Sequence, residues 1–373
     1  MSEFEIRIAN FEDRERVIAL MSEFYPGDMA VRYDWLYMSN PHGRALTWIA
    51  LRRSTEEAVA CTSIFPRRVI VAGRERTGSI GGDCYVLPSA RRQGLATALH
   101  RASFAEMRER GIDFMYGPPV PNNLAALIKA GSNVVTGYKR WVRPLSSRAA
   151  EHLPLSRPLA RLEARLAYIP VMALERLTRN DSRQYDLEPV SEFGPEFDAM
   201  FDRAVQTHEI ACVRDRNYLN WRYFANPVPR QTPLALVRAG ELVGFVALEV
   251  SDTHAAIADL FTATDPKTID AAIHLTVKYA AAAGCSSLEV SLTERAPVAR
   301  RLRRLGFIGR EDRGFQVAID VKDSQIDTLL SPHSWHFTEA DQDMSTVFSY
   351  ETEIEEKGLT LEGPIKTCVT AGA

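Results

Sequence analysis

The sequence predicts a mixed α/β protein in which one domain plan is written twice. Three observations support this. The motif W-x-Y-x-x-N-P stands at Trp35–Pro41 and again at Trp221–Pro227. Around each copy the same succession of strand-like and helix-like segments recurs. After each copy a strand-like run carries an aspartate, Asp83 in IGGDCYVLP and Asp259 in AAIADLFTA. Trp occurs only five times in 373 residues, so two in matching frames inside matching element orders argue for duplication over coincidence.

Taken in order, each half opens on a short strand (5–10; 184–190) and a helix (12–24; 195–205), and the aromatic motif follows. Two β-branched and aromatic runs come next, at 45–53 and 58–65 in the first half and at 233–240 and 242–250 in the second. The aspartate-bearing strand then feeds a helix, a glycine and a further strand (111–117; 284–292), and a last short helix ends at Gly131 or Gly306. These boundaries give a first domain over 1–145 and a second over 185–322. Between them, 146–184 is rich in Arg, Leu and Pro. Arg157, Arg161 and Arg165 share one helical face beside a stripe of Leu155, Leu159, Leu162 and Leu166, which predicts a helical linker packed across both halves. A C-terminal extension, 323–373, contains Trp335 and Phe337 in a stretch expected to be ordered, and its polar, turn-rich end reads as disorder.

Composition narrows the function. A net charge of -3 and a pI near 6.3 argue against nucleic-acid binding. The cysteines, Cys61, Cys84, Cys212, Cys285 and Cys368, form no C-x-x-C pair and suit a reducing compartment. The start of the chain has no signal-peptide layout and no run of 18 apolar residues exists, so a cytoplasmic protein without membrane association is expected. His333 and His336 lie three apart, but no Cys or Glu ligand pattern accompanies them, and no metal is expected. Nothing in the sequence gives an oligomeric state.

The chemistry concentrates in VLPSARRQGLATALHRA, residues 86–102. Val86 ends a strand, Arg91–Gly94 form a polar turn, and from Leu95 the apolar spacing becomes helical through Ala98, Leu99 and Ala102. A helix opened in this way presents unpaired N–H groups and the positive end of its dipole. A phosphate binds such a terminus through backbone alone. Gly94 admits close approach, Ala96 leaves room, and Arg91 and Arg92 add charge, so the segment is a candidate diphosphate site. The second half reads ATDPKTID at the matching place. Asp265 is positioned there as N-cap and Pro266 as first helical residue, and the carboxylate would repel a diphosphate.

The pattern V-x-P-x-x-R-x-x-G-x-A, with Arg91-Arg92-Gln93-Gly94-Leu95-Ala96, resembles the acyl-CoA pyrophosphate loop of the GNAT acyltransferase superfamily. The element order of both halves resembles that fold. The aromatic motif and Pro121-Asn122 resemble a tandem-domain subgroup associated with bacterial surface polysaccharides. The resemblance implies two GNAT-like domains, each a mixed, mostly antiparallel sheet flanked by helices, with the second copy degenerate. It implies N-acyl transfer from acetyl-CoA or another acyl-CoA to a primary amine of a small molecule, such as an amino sugar, by direct attack on the thioester. The CoA-binding residues it implies are Val86, Arg91, Arg92, Gln93, Gly94, Leu95, Ala96 and Thr97, with Asn122 or Asn123 on the pantetheine arm and a backbone N–H near Val86 on the thioester oxygen.

Catalytic candidates are less sharply marked. Asp83 is the first candidate for the base, with Tyr85 on the same strand face; the recurrence of Asp259 in the other half suits a structural aspartate nearly as well. Many family members have a Tyr four residues before the glycine of the last helix, where this chain has Leu127 and Leu302. Tyr116 and Tyr138 are the substitutes considered for protonating the thiolate. His42 and His208, near the two aromatic motifs, are further candidates for facing an acceptor. Two other classes remain open: an aminoacyl-tRNA-dependent peptidyl transferase, also built on paired GNAT-like domains, and a non-catalytic acyl-CoA sensor or scaffold. The intact Arg91–Ala96 loop favours CoA over aminoacyl-tRNA.

Overall fold

The computed structural model describes residues 3–146, 184–294, 296–312, 314–319 and 323–342. The expected linker helix and the end of the C-terminal extension lie outside these residues.

The first half supplies strands β1 (Phe4–Ile8), β2 (Leu46–Arg52), β3 (Ala58–Val71), β4 (Arg74–Val86), β5 (Phe114–Gly117), β6 (Asn133–Val135) and β7 (Tyr138–Pro144). Its helices are α1 (Arg14–Ser22), α2 (Met29–Arg32), α3 (Leu95–Glu106) and α4 (Pro121–Ala130). The second half supplies β8 (Tyr185–Pro189), β9 (Ile210–Cys212), β10 (Gln231–Arg238), β11 (Glu241–Val250), β12 (His254–Thr262), β13 (Ser287–Thr293), β14 (Ile308–Asp312) and β15 (Phe315–Ile319). Its helices are α5 (Pro195–Val205), α6 (Arg216–Tyr223), α7 (Pro266–Ala282) and α8 (Pro297–Leu302). After these come α9 (Ile326–Leu330) and β16 (Trp335–His336). The strand pairs are mostly antiparallel, as expected; β4–β5, β12–β13 and β9–β16 are parallel. The long β3–β4 hairpin turns on Ala72 and Gly73, both at positive φ, which matches the right-handed twist of its strands.

The two halves exchange a strand. One sheet runs β1-β2-β3-β4-β5-β15-β6, and the other runs β14-β7-β13-β12-β11-β10-β8. Thus β15, from the second half, lies between β5 and β6, and β7, from the first, lies between β13 and β14. The expected division at 145 is therefore not a division between sheets: residues before it complete the second sheet, and residues after 314 complete the first. Each half on its own would leave two strands facing a gap.

The repeated motif joins the halves directly. The Trp35 and Trp221 rings stack with centroids 4.8 Å apart. Trp35 Nε1 donates to the Trp221 carbonyl at 3.1 Å, and Trp221 Nε1 returns a bond to the Trp35 carbonyl at 3.2 Å. Each motif Asn accepts from the N–H two residues on, Asn40 from His42 and Asn226 from Val228, which closes a local turn before the chain enters its sheet. A single apolar core, from Val17 and Trp35 through Tyr116 to Phe197, Trp221 and Phe337, runs across both halves.

Candidate active site

The site begins where two parallel strands part. β4 pairs with β5 only through Gly78–Ile80 against Phe114–Tyr116. Beyond Ile80 the strands diverge and open a cleft, with Gly81, Gly82, Asp83 and Cys84 on one wall and Met115, Gly117 and Pro118 on the other. A bulge in β4 adds to the divergence. Ser63 stands opposite Gly82 and Cys61 opposite Tyr85, so Asp83 and Cys84 together face Thr62. Asp83 takes φ 48°, and the bulge leaves backbone groups of β4 outside the ladder, beside the cleft.

β4 ends at Val86, and Pro88–Ala90 make one 3₁₀ turn. Arg91 folds back, its Nε donating to the Val86 carbonyl at 3.2 Å. Arg91, Arg92, Gln93 and Gly94 are all exposed. Arg92 at φ 66° and Gly94 at φ 78° turn the backbone into left-handed conformations just ahead of α3. Gly94 is the N-cap, and among the described residues no side chain caps the open N–H groups of that helix. Leu95 and Leu99 anchor the helix in the core, while Ala96 and Thr97 are half-buried. Among the described residues nothing lies within 4 Å of where a Cβ on Gly94 would stand. The result is a concave run of amides of the kind that holds anions.

The second half has the same skeleton with both features closed. β12 pairs with β13 only from His254–Ile257 to Ser287–Val290, then the strands part. Residues 335–338 of the C-terminal segment fill that split. His336 Nε2 donates to the Leu260 carbonyl at 2.9 Å, Thr293 Oγ1 donates to the Trp335 carbonyl at 2.5 Å, and Leu292 bridges to Thr338. The start of α7 is capped by Asp265, which accepts from the Thr268 N–H at 2.9 Å and the Thr268 hydroxyl at 2.7 Å.

The catalytic candidates need correction. Asp83 is 4% exposed and saturated. Arg32 grips it from two nitrogens at 2.7 and 3.0 Å, and the Tyr37 hydroxyl donates at 2.5 Å. It is a buried strut rather than a free base. Asp259 plays the same part, accepting from Arg214 at 3.0 Å, Tyr223 at 3.3 Å and Thr338 at 3.0 Å. The Tyr of each aromatic motif thus bonds the strand aspartate of its own half. Tyr116 lines the cleft, but its hydroxyl is paired with Cys212 Sγ at 3.0 Å, and burial holds its pKa well above 10. Tyr138 lies in the other sheet and accepts from Gln342 Nε2 at 3.1 Å, away from the cleft. Tyr85 is buried against Phe24 and does not line the cleft.

Asn122 is exposed, whereas Asn123 faces the cleft, so of the pair considered from sequence Asn123 has the better position. His42 stacks on Tyr218, and burial with Arg67 and Arg68 nearby lowers its pKa to about 2. His208 donates to the Thr262 carbonyl at 2.8 Å and is lowered to about 4 by burial; both are packing histidines. Leu127 does line the cleft. Sequence reading missed His100, a buried cleft residue bonded to Asn123 at 3.0 Å. Its only signal was a polar residue beside Leu99 on the core side of a helix. Among the described residues no group of three His, Cys, Asp or Glu is placed to hold a metal, and no helix is long and apolar enough to cross a membrane.

A protein-family model described as an acetyltransferase (GNAT) domain matches residues 5–123. No curated protein matches the chain. Among solved structures, a GCN5-related N-acetyltransferase from Anabaena variabilis superposes with a TM-score of 0.61 at 14% identity, over 85% of this chain and 73% of that one. Eis1 from Mycobacterium abscessus gives 0.56 at 15% identity, over 88% and 76%. An N-myristoyltransferase from Saccharomyces cerevisiae, solved with myristoyl-CoA, gives 0.52 at 13% identity, over 92% and 87%. At these identities the likeness is one of fold, and it spans both halves.

Proposed function

We propose that the protein is an acyl-CoA-dependent N-acyltransferase acting on a primary amine, a reading supported by the match of residues 5–123 to the acetyltransferase (GNAT) domain model. One observation carries this. In the first half the β4–β5 cleft is open and α3, whose His100 lines it, starts without a side-chain cap, while the matching split and helix start of the second half are filled and capped. The first half alone then binds acyl-CoA, and the second braces it.

In this reading the amides at Gly94–Thr97 hold the diphosphate, with Arg91 and Arg92 beside it. The unpaired edge of β4 from Gly81 to Cys84 runs along the pantetheine arm. A backbone N–H of the Asp83–Cys84 bulge then donates to the thioester oxygen and stabilises the charge that develops there. A neutral amine attacks the carbonyl carbon, the C–S bond breaks, and the proton lost by nitrogen leaves through water. Asp83, Tyr116 and Tyr138 are each tied to protein partners, and Leu127 has no proton to give. The acceptor is taken as a small-molecule amine, an amino sugar by the subgroup resemblance alone.

Thiol release from acetyl-CoA and longer acyl-CoAs, measured with a panel of amines, tests the reading. Turnover with any amine supports it. Tight CoA binding without release under every acceptor replaces it with an acyl-CoA sensor, and absence of CoA binding removes it.

A further inference from the structure

We infer that His100 is a ligand-contacting residue of the cleft, accepting a hydrogen bond from an amide N–H of the pantetheine arm. The inference rests on the acyl-CoA reading above and names a contact within that site.

The argument begins with the tautomer. His100 Nε2 faces Asn123 Oδ1 at 3.0 Å, and an amide oxygen only accepts. Nε2 therefore carries the proton, and Nδ1 keeps its lone pair. Burial lowers the pKa of the ring, opposed by the bond to Asn123, so it is neutral near pH 7. His100 is 3% exposed, yet it belongs to the cleft wall. Nδ1 is shielded from solvent and bonded to nothing among the described residues. A buried acceptor left unmade costs its desolvation with no return, so such an atom needs an explanation. His42 also leaves one nitrogen unbonded, but that ring lies stacked beneath Tyr218 and does not line the cleft.

Position selects the donor. His100 is six residues beyond Gly94, about 9 Å down the α3 axis from the diphosphate site. Asn123 stands level with it on α4, four residues and so one turn before Leu127 on the same face. That depth is the reach of the pantoyl unit, where the arm carries amides, and falls short of the thioester sulfur. An amide N–H supplies the donor that Nδ1 lacks. Because Asn123 Oδ1 is held by His100, its Nδ2–H₂ is turned to donate to a neighbouring carbonyl of the same arm.

Calorimetric titration with two probes tests this: CoA, and adenosine 3′,5′-bisphosphate, which has no pantetheine. His100→Leu is expected to weaken CoA about tenfold, the worth of about 1.4 kcal/mol, and to leave the bisphosphate unchanged. His100→Gln, whose amide both donates to Asn123 and accepts, is expected to recover most of the loss. Should the leucine variant not fold, His100→Ala reads the same difference. Equal weakening of both probes, or of neither, overturns the inference. A wild-type protein that binds neither probe overturns the acyl-CoA reading itself and this contact with it.

Discussion

Asp83 and Gly94 lie within one strand-turn-helix, and the structure gives them opposite roles. Asp83 balances Arg32, a guanidinium 1% exposed whose pKa is raised by the carboxylate against the cost of burial. Asp83→Asn removes the charge and leaves a buried cation without its counter-ion, which costs about 3–5 kcal/mol. The expected result is a large fall in the urea midpoint. A variant of unchanged stability that has lost turnover would instead restore Asp83 as the base. Gly94 carries no such structural duty beyond its φ of 78°. Gly94→Glu adds strain of about 1–2 kcal/mol there and sets a carboxylate over the anion site. CoA binding is expected to fall by about two orders of magnitude, while the melting temperature drops only slightly; unchanged CoA affinity would remove the loop from the site. Gly94 was legible in sequence because its role is local: a turn, a helix start, a missing side chain. The partner of Asp83 was not, because Arg32 lies 51 residues away and only the fold brings them together.

At the level of elements, the C-terminal segment does work for which the sequence offered no pattern. β16 extends the first sheet by pairing with β9, and Thr338 and His336 occupy the split of the second. Two histidines lock it. His336 lies 4.7 Å from His208, ring to ring, beside Arg214 and Asp341. Burial lowers both, and each feels the positive charge of Arg214, with His208 at about 4 and His336 well below 6.5. An unfolded imidazole titrates near 6.5. The folded state refuses protons that the unfolded state accepts, so the stability tied to these rings is complete above about pH 6.5 and falls as pH drops from there toward 4. Between those limits each ring contributes a slope of about 1.4 kcal/mol per pH unit. Urea midpoints at pH 7.5, 5.5 and 4.5 are expected to fall, and to fall less steeply in His336→Gln. Equal slopes would separate the pair from acid sensitivity. In sequence, Trp335 and Phe337 marked the stretch as ordered; where it docked depended on a split that exists only once β12 and β13 have paired.

On the scale of the whole molecule, the exchanged strands make the two halves one folding unit. Residues 1–145 expressed alone lack β15 and leave β5 and β6 unpaired across a gap, with β7 extended from a sheet it does not belong to. That fragment is expected to aggregate, and the full chain to unfold in one urea transition that tryptophan emission and circular dichroism report alike. A soluble, cooperatively folded fragment would mean the exchange is dispensable. The sequence by itself determined the repeated W-x-Y-x-x-N-P motif, most of the order of strands and helices around it, and which helix start was bare and which was capped. Each of these follows from side chains a few residues apart, through periodicity, turn chemistry and capping. Only the tertiary structure decided which sheet receives β7 and β15, that the two motif tryptophans stack on each other, that Asp83 is bound rather than free, and that His100 faces the cleft. Each of those is a pairing between distant segments, set by which surfaces must be buried together, and no local pattern encodes it.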